Sequence, residues 1–91
     1  MQGTQTSYCA GSVEGSNLAD CVQKQIIGLG GLIDRKTNTQ QLYVTKHTNA
    51  VAILVEMAFI DQEDDNKKLG DPIWQDNFAR AIARGITDYV Q

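Results

Sequence analysis

Residues 51–60 read Val-Ala-Ile-Leu-Val-Glu-Met-Ala-Phe-Ile, and this stretch decides the fold that the sequence predicts. Nine of its ten residues are apolar and several are β-branched, a pattern typical of a strand that is covered on both faces and here is expected to end near Phe59. The exception is Glu56, whose ionised carboxylate would be costly to bury without partners. Glu56 is therefore expected at the strand end, in an ion pair, or in a functional role.

One amphipathic helix is predicted before this strand. Leu18, Val22 and Ile26 recur at a spacing of four after Ser16, which is a candidate N-cap. The opposite, solvent-facing side is predicted to carry Asp20, Gln23 and Lys24. Glycines at positions 28, 30 and 31 are expected to end the helix, and the Gly-Ser-Val-Glu-Gly sequence at 11–15 is expected to form a loop.

A second long helix is predicted after the strand. Asp71-Pro72 is a strong start signal, because Asp is a good N-cap and Pro is tolerated at the first helical position. Gly85 lies inside this helix and should weaken it. The face expected to be buried carries large apolar side chains at a spacing of four: Trp74, Phe78, Ile82 and Ile86, flanked by Ala79, Ala81 and Val90.

The remaining segments complete a small α/β domain. Alternating residues predict a short strand at 3–10, and residues 42–45 are predicted to form a second one. Residues 32–41, polar after the first two, are expected to form a surface loop. Asp64 is a candidate cap for a short helix that runs through Leu69 and is closed by Gly70. The prediction is a single domain over residues 1–91, with a sheet of about three strands packed by two main helices.

Composition excludes several classes of function. The net charge of −3 and the lack of a basic cluster argue against a nucleic-acid partner. No window approaches 18 apolar residues, so no membrane span is predicted, and residues 1–20 lack the basic start and apolar run of a signal peptide. The sequence leaves the cellular location unknown.

Few residues are suited to binding a metal. Cys9 and Cys21 fit neither a CxxC motif nor a compact zinc knuckle, and two buried free thiols are predicted in preference to a disulfide. His47 is the only histidine, so a His-rich metal site within this chain is excluded, and a lone His in a polar loop is expected to be solvated.

The second half of the chain resembles a known family. Residues 42–60 (Leu-Tyr-Val-Thr-Lys-His-Thr-Asn-Ala and the apolar stretch), followed by an acidic loop and Asp71-Pro72, resemble the C-terminal part of zinc-dependent N-acetylmuramoyl-L-alanine amidases of the phage endolysin and autolysin type. Residues 55–60 match a Val-Glu-x-Gly-Phe-Ile-like motif, with Ala58 in place of the glycine. Gly3-Thr4-Gln5-Thr6 is similar to the family's Gly-Thr-Glu-Thr strand, and 16–19 to the helix start after it. The resemblance covers nearly the whole chain.

The resemblance implies a role for Glu56. It corresponds to the family's catalytic glutamate, beside a zinc-bound water whose proton the carboxylate accepts and passes to the leaving amine. The family's zinc ligands, two His and one Glu, precede the Gly-Thr-x-Thr strand. This sequence starts at about that strand, so no zinc or other cofactor is expected in this chain, which is predicted to be inactive alone. Alternatively, Glu56 is a structural carboxylate held by backbone N–H groups, by Arg35 or by Lys46.

Two functions from different classes therefore remain open. The chain is a fragment or remnant of a peptidoglycan hydrolase that cleaves the amide between N-acetylmuramic acid and L-alanine when joined to a complementary N-terminal amidase half. The alternative is a non-enzymatic oligomerisation or binding module derived from the same fold. Both imply an open sheet edge, which predicts a homo-oligomer.

Overall fold

Three strands and three helices form the part of the chain that the computed structural model describes, namely residues 3–41, 51–56 and 63–91, with the backbone alone for 63–66. In chain order they are β1 (Thr4–Cys9), α1 (Val13–Ile27), β2 (Asp34–Gln40), β3 (Ile53–Glu56), α2 (Glu63–Gly70) and α3 (Pro72–Val90). The predicted α/β class, with a small sheet and two main helices, is confirmed. None of the described helices is both long enough and apolar enough to cross a membrane.

The sheet is built around β1. Its strand order is β2-β1-β3, with β2 parallel to β1 and β3 antiparallel to it. The antiparallel register pairs Gln5 with Glu56 at one end and Tyr8 with Ile53 at the other. The strand predicted at 3–10 is therefore confirmed, and it is the central strand of the described sheet.

The prediction of a surface loop over residues 32–41 is wrong, because 34–40 form β2. Its side chains are polar and half-buried or exposed, so the segment lacks the apolar pattern by which a strand is recognised. Backbone pairing of β2 with β1 does not need apolar side chains, and β2 lies at the edge of the sheet formed by the described residues. The pairing contains an irregularity between Thr4 and Thr6, and Lys36 nearby has a positive φ of 66°.

The apolar stretch is confirmed as a strand over Ile53–Glu56. The expectation that both faces are covered is wrong at Leu54, which is 42% exposed. An apolar run identifies side chains that favour burial, but it does not specify which element covers them. The predicted strand end at 57–59, the strand at 42–45 and His47 lie outside the described residues.

Helix α1 begins one turn earlier than predicted. Its N-cap is Ser12, not Ser16, and the Ser12 hydroxyl accepts a hydrogen bond from the Gly15 N–H at 2.9 Å. Gly15, taken as a loop signal, is buried in the first turn, where a Cβ would lie 2.8 Å from Ser12 Oγ and 3.3 Å from Tyr8 Cβ. This glycine is therefore explained by close packing. The predicted helix end is confirmed, with Gly28 as the C-cap.

Helices α1 and α3 pack together to form the core. Val22 and Ile26 of α1 meet Phe78 and Ala81 of α3, and all four are buried. Gly85 permits this approach, because a Cβ at that position would lie 2.5 Å from the Val22 Cα. The glycine that appeared to weaken the helix is needed for the contact between the two helices.

The predicted face of α3 is only partly right. The Asp71 side chain accepts from the Ile73 N–H at 2.9 Å, so the predicted start is confirmed. Trp74 and Ile82 pack against the core, whereas Ile86 is 46% exposed. The flanking residues also differ in burial, because Ala81 is buried whereas Ala79 and Val90 are exposed. The error has a physical reason: the buried positions at the close contact with α1 are the small residues Ala81 and Gly85, which a search for large apolar side chains overlooks.

The short helix α2 is also confirmed, with Asp64 inside it and not at its cap.

Replacing Gly85 by alanine should destabilise the protein. Helix propensity alone would favour alanine by about 1 kcal/mol, but overpacking against the Val22 backbone is expected to lower the free energy of unfolding by about 1–3 kcal/mol. Urea unfolding followed by circular dichroism measures this change. Gly70→Ala is the control, because no atom lies within 4 Å of a Cβ there. An increase in stability for Gly85→Ala would contradict the packing described.

Candidate functional site

Glu56 is the last residue of β3 and is half-buried. It lies directly opposite Gln5 of β1, so the two side chains project from the same face of the sheet. Of the two cations considered as partners for its carboxylate, Arg35 lies on β2, beyond β1, and Lys46 lies outside the described residues. The residues that follow Glu56 lie outside the part of the chain that the structure describes, so the strand-end position stays a prediction.

The backbone of Glu56 is held from the protein interior. The Thr4 hydroxyl donates a hydrogen bond to the Glu56 carbonyl oxygen at 2.8 Å, and Thr4 is fully buried. The Thr4 N–H in turn donates to the Ile33 carbonyl at 3.0 Å. Thr4 therefore connects the end of β3 to the segment that leads into β2.

Gln23 is the centre of a buried hydrogen-bond network that supports Thr4. Its Nε2 donates to the Thr4 carbonyl and to Asp34 Oδ1, both at 2.9 Å, and its Oε1 accepts from the Thr6 hydroxyl at 2.9 Å. Gln23 is only 5% exposed, so water competes little for these bonds. One side chain thus joins α1 to both β1 and β2.

The sequence prediction that placed Gln23 on the solvent-facing side of α1 is wrong. A glutamine is expected outside, and its burial depends on partners that are far away in the sequence. One signal was available, since Gln23 is four residues after Ala19 and three before Ile26, both of which are buried. The threonines of β1 supply matching hydroxyl and carbonyl groups.

Asp34 is held in its ionised form. The hydrogen bond from Gln23 makes the largest contribution to lowering its pKa, and the Lys36 N–H and ammonium group add to this against the opposing effect of burial. The Lys36 N–H donates to Asp34 Oδ1 at 2.8 Å, and its Nζ lies 3.2 Å from Oδ2. This local bond accompanies the positive φ of Lys36 beside the irregular pairing.

A groove lies beside this network, between α1 and β2. Its volume is about 260 Å³, and Glu56 is not among the residues that line it. The groove and the candidate catalytic carboxylate are therefore separate features. The lining residues are Asp20, Gln23, Lys24, Ile27, Asp34, Lys36 and Thr37.

The described residues do not form a metal site by themselves. In residues 3–41, 51–56 and 63–91, no three His, Cys, Asp or Glu side chains are grouped so that they could hold an ion. Cys9 and Cys21 are free thiols, as predicted, but both are half-buried and not fully buried. A complete zinc centre does not fit this set of residues, so no chemical step through zinc is derived from them.

Comparison with known proteins relates the chain to one family. The sequence model described as N-acetylmuramoyl-L-alanine amidase matches residues 1–88. An uncharacterised cell wall amidase of Bacillus anthracis is 34% identical over 97 residues, which cover 98% of this chain and 18% of that protein. LytC, an N-acetylmuramoyl-L-alanine amidase of Bacillus subtilis, is 33% identical over 84 residues, which cover 92% of this chain and 16% of LytC.

A solved structure agrees with this relationship. The N-acetylmuramoyl-L-alanine amidase AmiC2 of Nostoc punctiforme superposes with a TM-score of 0.92 at 31% identity, over 99% of this chain and 49% of that chain. The chain therefore spans about half of that amidase and less than a fifth of the two curated relatives.

Gln23→Met should disrupt the network while keeping the side chain's length. The Thr6 hydroxyl, the Thr4 carbonyl and Asp34 would each lose a buried partner, so the free energy of unfolding should fall by about 1–3 kcal/mol. Gln25→Met is the matched control, because the Gln25 amide bonds only exposed groups of Asp88 and Arg84. Its effect should stay within about 0.5 kcal/mol in the same urea titration. Equal losses in the two variants would contradict a special role for Gln23.

Asp34 should make stability depend on pH in the acid range. Its folded-state pKa lies below the ordinary value of 3.8, so its stabilising contribution is complete above that value. The contribution is lost as the pH falls through the lower folded-state pKa. Asp34→Asn keeps an oxygen acceptor for Gln23 and should flatten the dependence of the free energy of unfolding on pH. The measurement is unfolding at pH values from about 5 down to about 2, which lie on both sides of the ordinary pKa. Asp76→Asn, in an exposed pair with Arg80, controls for general charge effects. An unchanged slope in Asp34→Asn would refute the assignment.

Proposed function

Because this chain belongs to the N-acetylmuramoyl-L-alanine amidase family, we propose that it forms the C-terminal half of a catalytic domain that hydrolyses the amide between N-acetylmuramic acid and L-alanine in peptidoglycan. The observation that carries the proposal is the superposition of nearly the whole chain on about half of AmiC2. Its partners would be peptidoglycan and the other half of such a domain. The residues that bind zinc would lie in that other half, so the chain alone would be inactive.

Glu56 would move the proton in this reaction. Amide hydrolysis needs a base for the proton of the attacking water and an acid for the departing nitrogen, and one carboxyl group can serve both in turn. Glu56 is suited to this because it lies on a strand, is half-buried and has its backbone anchored by Thr4. The carboxylate would accept the proton from water and then donate it to the amino group of L-alanine.

A second candidate function is the non-enzymatic binding or oligomerisation module. It is favoured by the large apolar side chains that are exposed in the described part of the chain. These are Val13, Ile33, Leu54, Ile73, Ile86 and Val90. The homo-oligomer stays a prediction, for which light scattering is the direct measurement.

Reconstitution distinguishes the two functions. The chain is mixed with a separately expressed N-terminal amidase half that carries the zinc ligands, and release of peptide from purified peptidoglycan is measured. We expect activity that neither part has alone, and Glu56→Gln should lower it by about 10²–10⁴-fold, the usual contribution of a general acid–base residue.

Glu14→Gln serves as the matched control, because Glu14 is an exposed carboxylate in the first turn of α1. It should leave the rate unchanged. Reconstituted activity that survives Glu56→Gln would reject the role of Glu56. A folded, oligomeric chain that gives no activity with any such half would favour the binding module.

A further inference from the structure

We propose that Thr4 is a positioning residue, whose buried hydroxyl fixes the Glu56 backbone and so orients the carboxylate above the sheet. This inference rests on the proposed function, because it assigns to Thr4 a contribution to the same hydrolysis. Thr4 does not touch the reacting atoms. It acts through Glu56.

The geometry that carries the proposal is a hydrogen bond beside the β1–β3 ladder. Thr4 Oγ1 donates to the Glu56 carbonyl at 2.8 Å, and Glu56 pairs with Gln5, the next residue of β1. Thr4 is fully buried, so water does not replace this bond. The hydroxyl therefore adds a fixed donor to the backbone of Glu56.

Thr4 is itself immobilised on two further sides. Its N–H donates to the Ile33 carbonyl at 3.0 Å, and its carbonyl accepts from Gln23 Nε2 at 2.9 Å. Gln23 is locked in turn by Thr6 and Asp34, each at 2.9 Å. The donor that holds Glu56 is thus part of a buried network that joins α1, β1 and β2, and it has little freedom to shift.

Fixing a carbonyl also orients the side chain on the same Cα. The hydrogen bond to the Glu56 carbonyl restricts the rotation about its Cα–C bond, and the pairing with Gln5 holds the strand, so together they fix the backbone from which the Cα–Cβ bond leaves. A misplacement of about 1 Å of a reacting group can lower a rate by about 10²-fold. Loss of the Thr4 hydroxyl should therefore reduce turnover more than substrate binding.

The chain offers a well-matched control for this effect. Thr6 lies on the same strand and is equally buried, and its hydroxyl also makes one hydrogen bond inside the protein, but to Gln23 and not to Glu56. Thr4→Val and Thr6→Val remove the same atom from two neighbouring positions. Thr4→Ser keeps the hydroxyl and should rescue the function.

The kinetic test uses the amidase reconstituted with the zinc-bearing half, at a temperature where circular dichroism shows every variant folded. We expect Thr4→Val to lower kcat by about 10–100-fold with little change in KM, and Thr4→Ser to retain most of the wild-type kcat. Thr6→Val breaks the network one residue further from Glu56, at Gln23, and should lower kcat less than Thr4→Val does. Equal losses of kcat in the two valine variants would overturn the proposal, because they would indicate a purely structural role.

A second readout does not depend on turnover. With glutamate labelled by ¹³C at the carboxyl carbon, Glu56→Gln identifies the Glu56 resonance among those of Glu14 and Glu63. Thr4→Val should shift or broaden this resonance, and Thr6→Val should do so to a smaller extent, because it acts only through Gln23. If Thr4→Val does not fold, Thr4→Cys replaces it, because a thiol is a weaker donor of similar size and should give an intermediate effect.

These readouts separate the two proposals. If Glu56→Gln retains activity, or if no reconstituted activity appears, the proposed function fails while the carboxyl resonance still reports whether Thr4 holds Glu56. An unchanged resonance and unchanged kcat in Thr4→Val would overturn the positioning role even if Glu56 proves essential.

Discussion

The Gln23 side-chain amide is the interaction on which the arrangement of the sheet depends. Its two ends bind β1 at Thr4 and Thr6 and β2 at Asp34, so one residue of α1 sets the position of two strands. A buried amide is stabilising only when all its partners are present, since each unsatisfied polar group is costly. The network therefore favours one arrangement of helix and strands, whereas apolar packing tolerates several.

Packing between α1 and α3 supplies the second constraint. Val22 of α1 lies so close to Gly85 that their backbones nearly touch, and Phe78 and Ala81 fill the space alongside. Close contact at a glycine fixes the separation of the two helices. The sheet is attached to this pair through Gln23 and through the partly buried Ile53 and Val55 of β3.

Much of the fold could be predicted because its signals are local. The Asp71-Pro72 start, the periodicity of Val22 and Ile26, and the apolar residues of β3 each reveal an element without knowledge of its neighbours. The strand β2 could not be found in this way, because a strand with polar side chains is identified only by the backbone with which it pairs. The first N-cap was misplaced because Gly15 resembles a loop residue until its close contacts with Ser12 and Tyr8 are known.

The candidate site likewise contains one residue that the sequence reveals and others that it does not. Glu56 stood out as a charge in an apolar stretch, and the resemblance to a family gave it a role that remains a prediction. Gln23 and Thr4 gave no such signal, because their partners are distant in the sequence. The partners of Gln23 lie 11–19 residues away, and the partner of the Thr4 hydroxyl, Glu56, lies 52 residues away. Polar residues become informative only when the fold brings their partners together.

The bond from Thr4 ends on the carbonyl of Glu56 and leaves its carboxylate unused. This hydrogen bond therefore does not itself depend on the side chain at position 56. A lineage with this architecture could exchange the carboxylate in a single substitution and keep the buried network intact. Loss of the carboxylate would leave the Thr4 bond in place, whereas loss of the Thr4 hydroxyl would affect both the fold and the proposed chemistry.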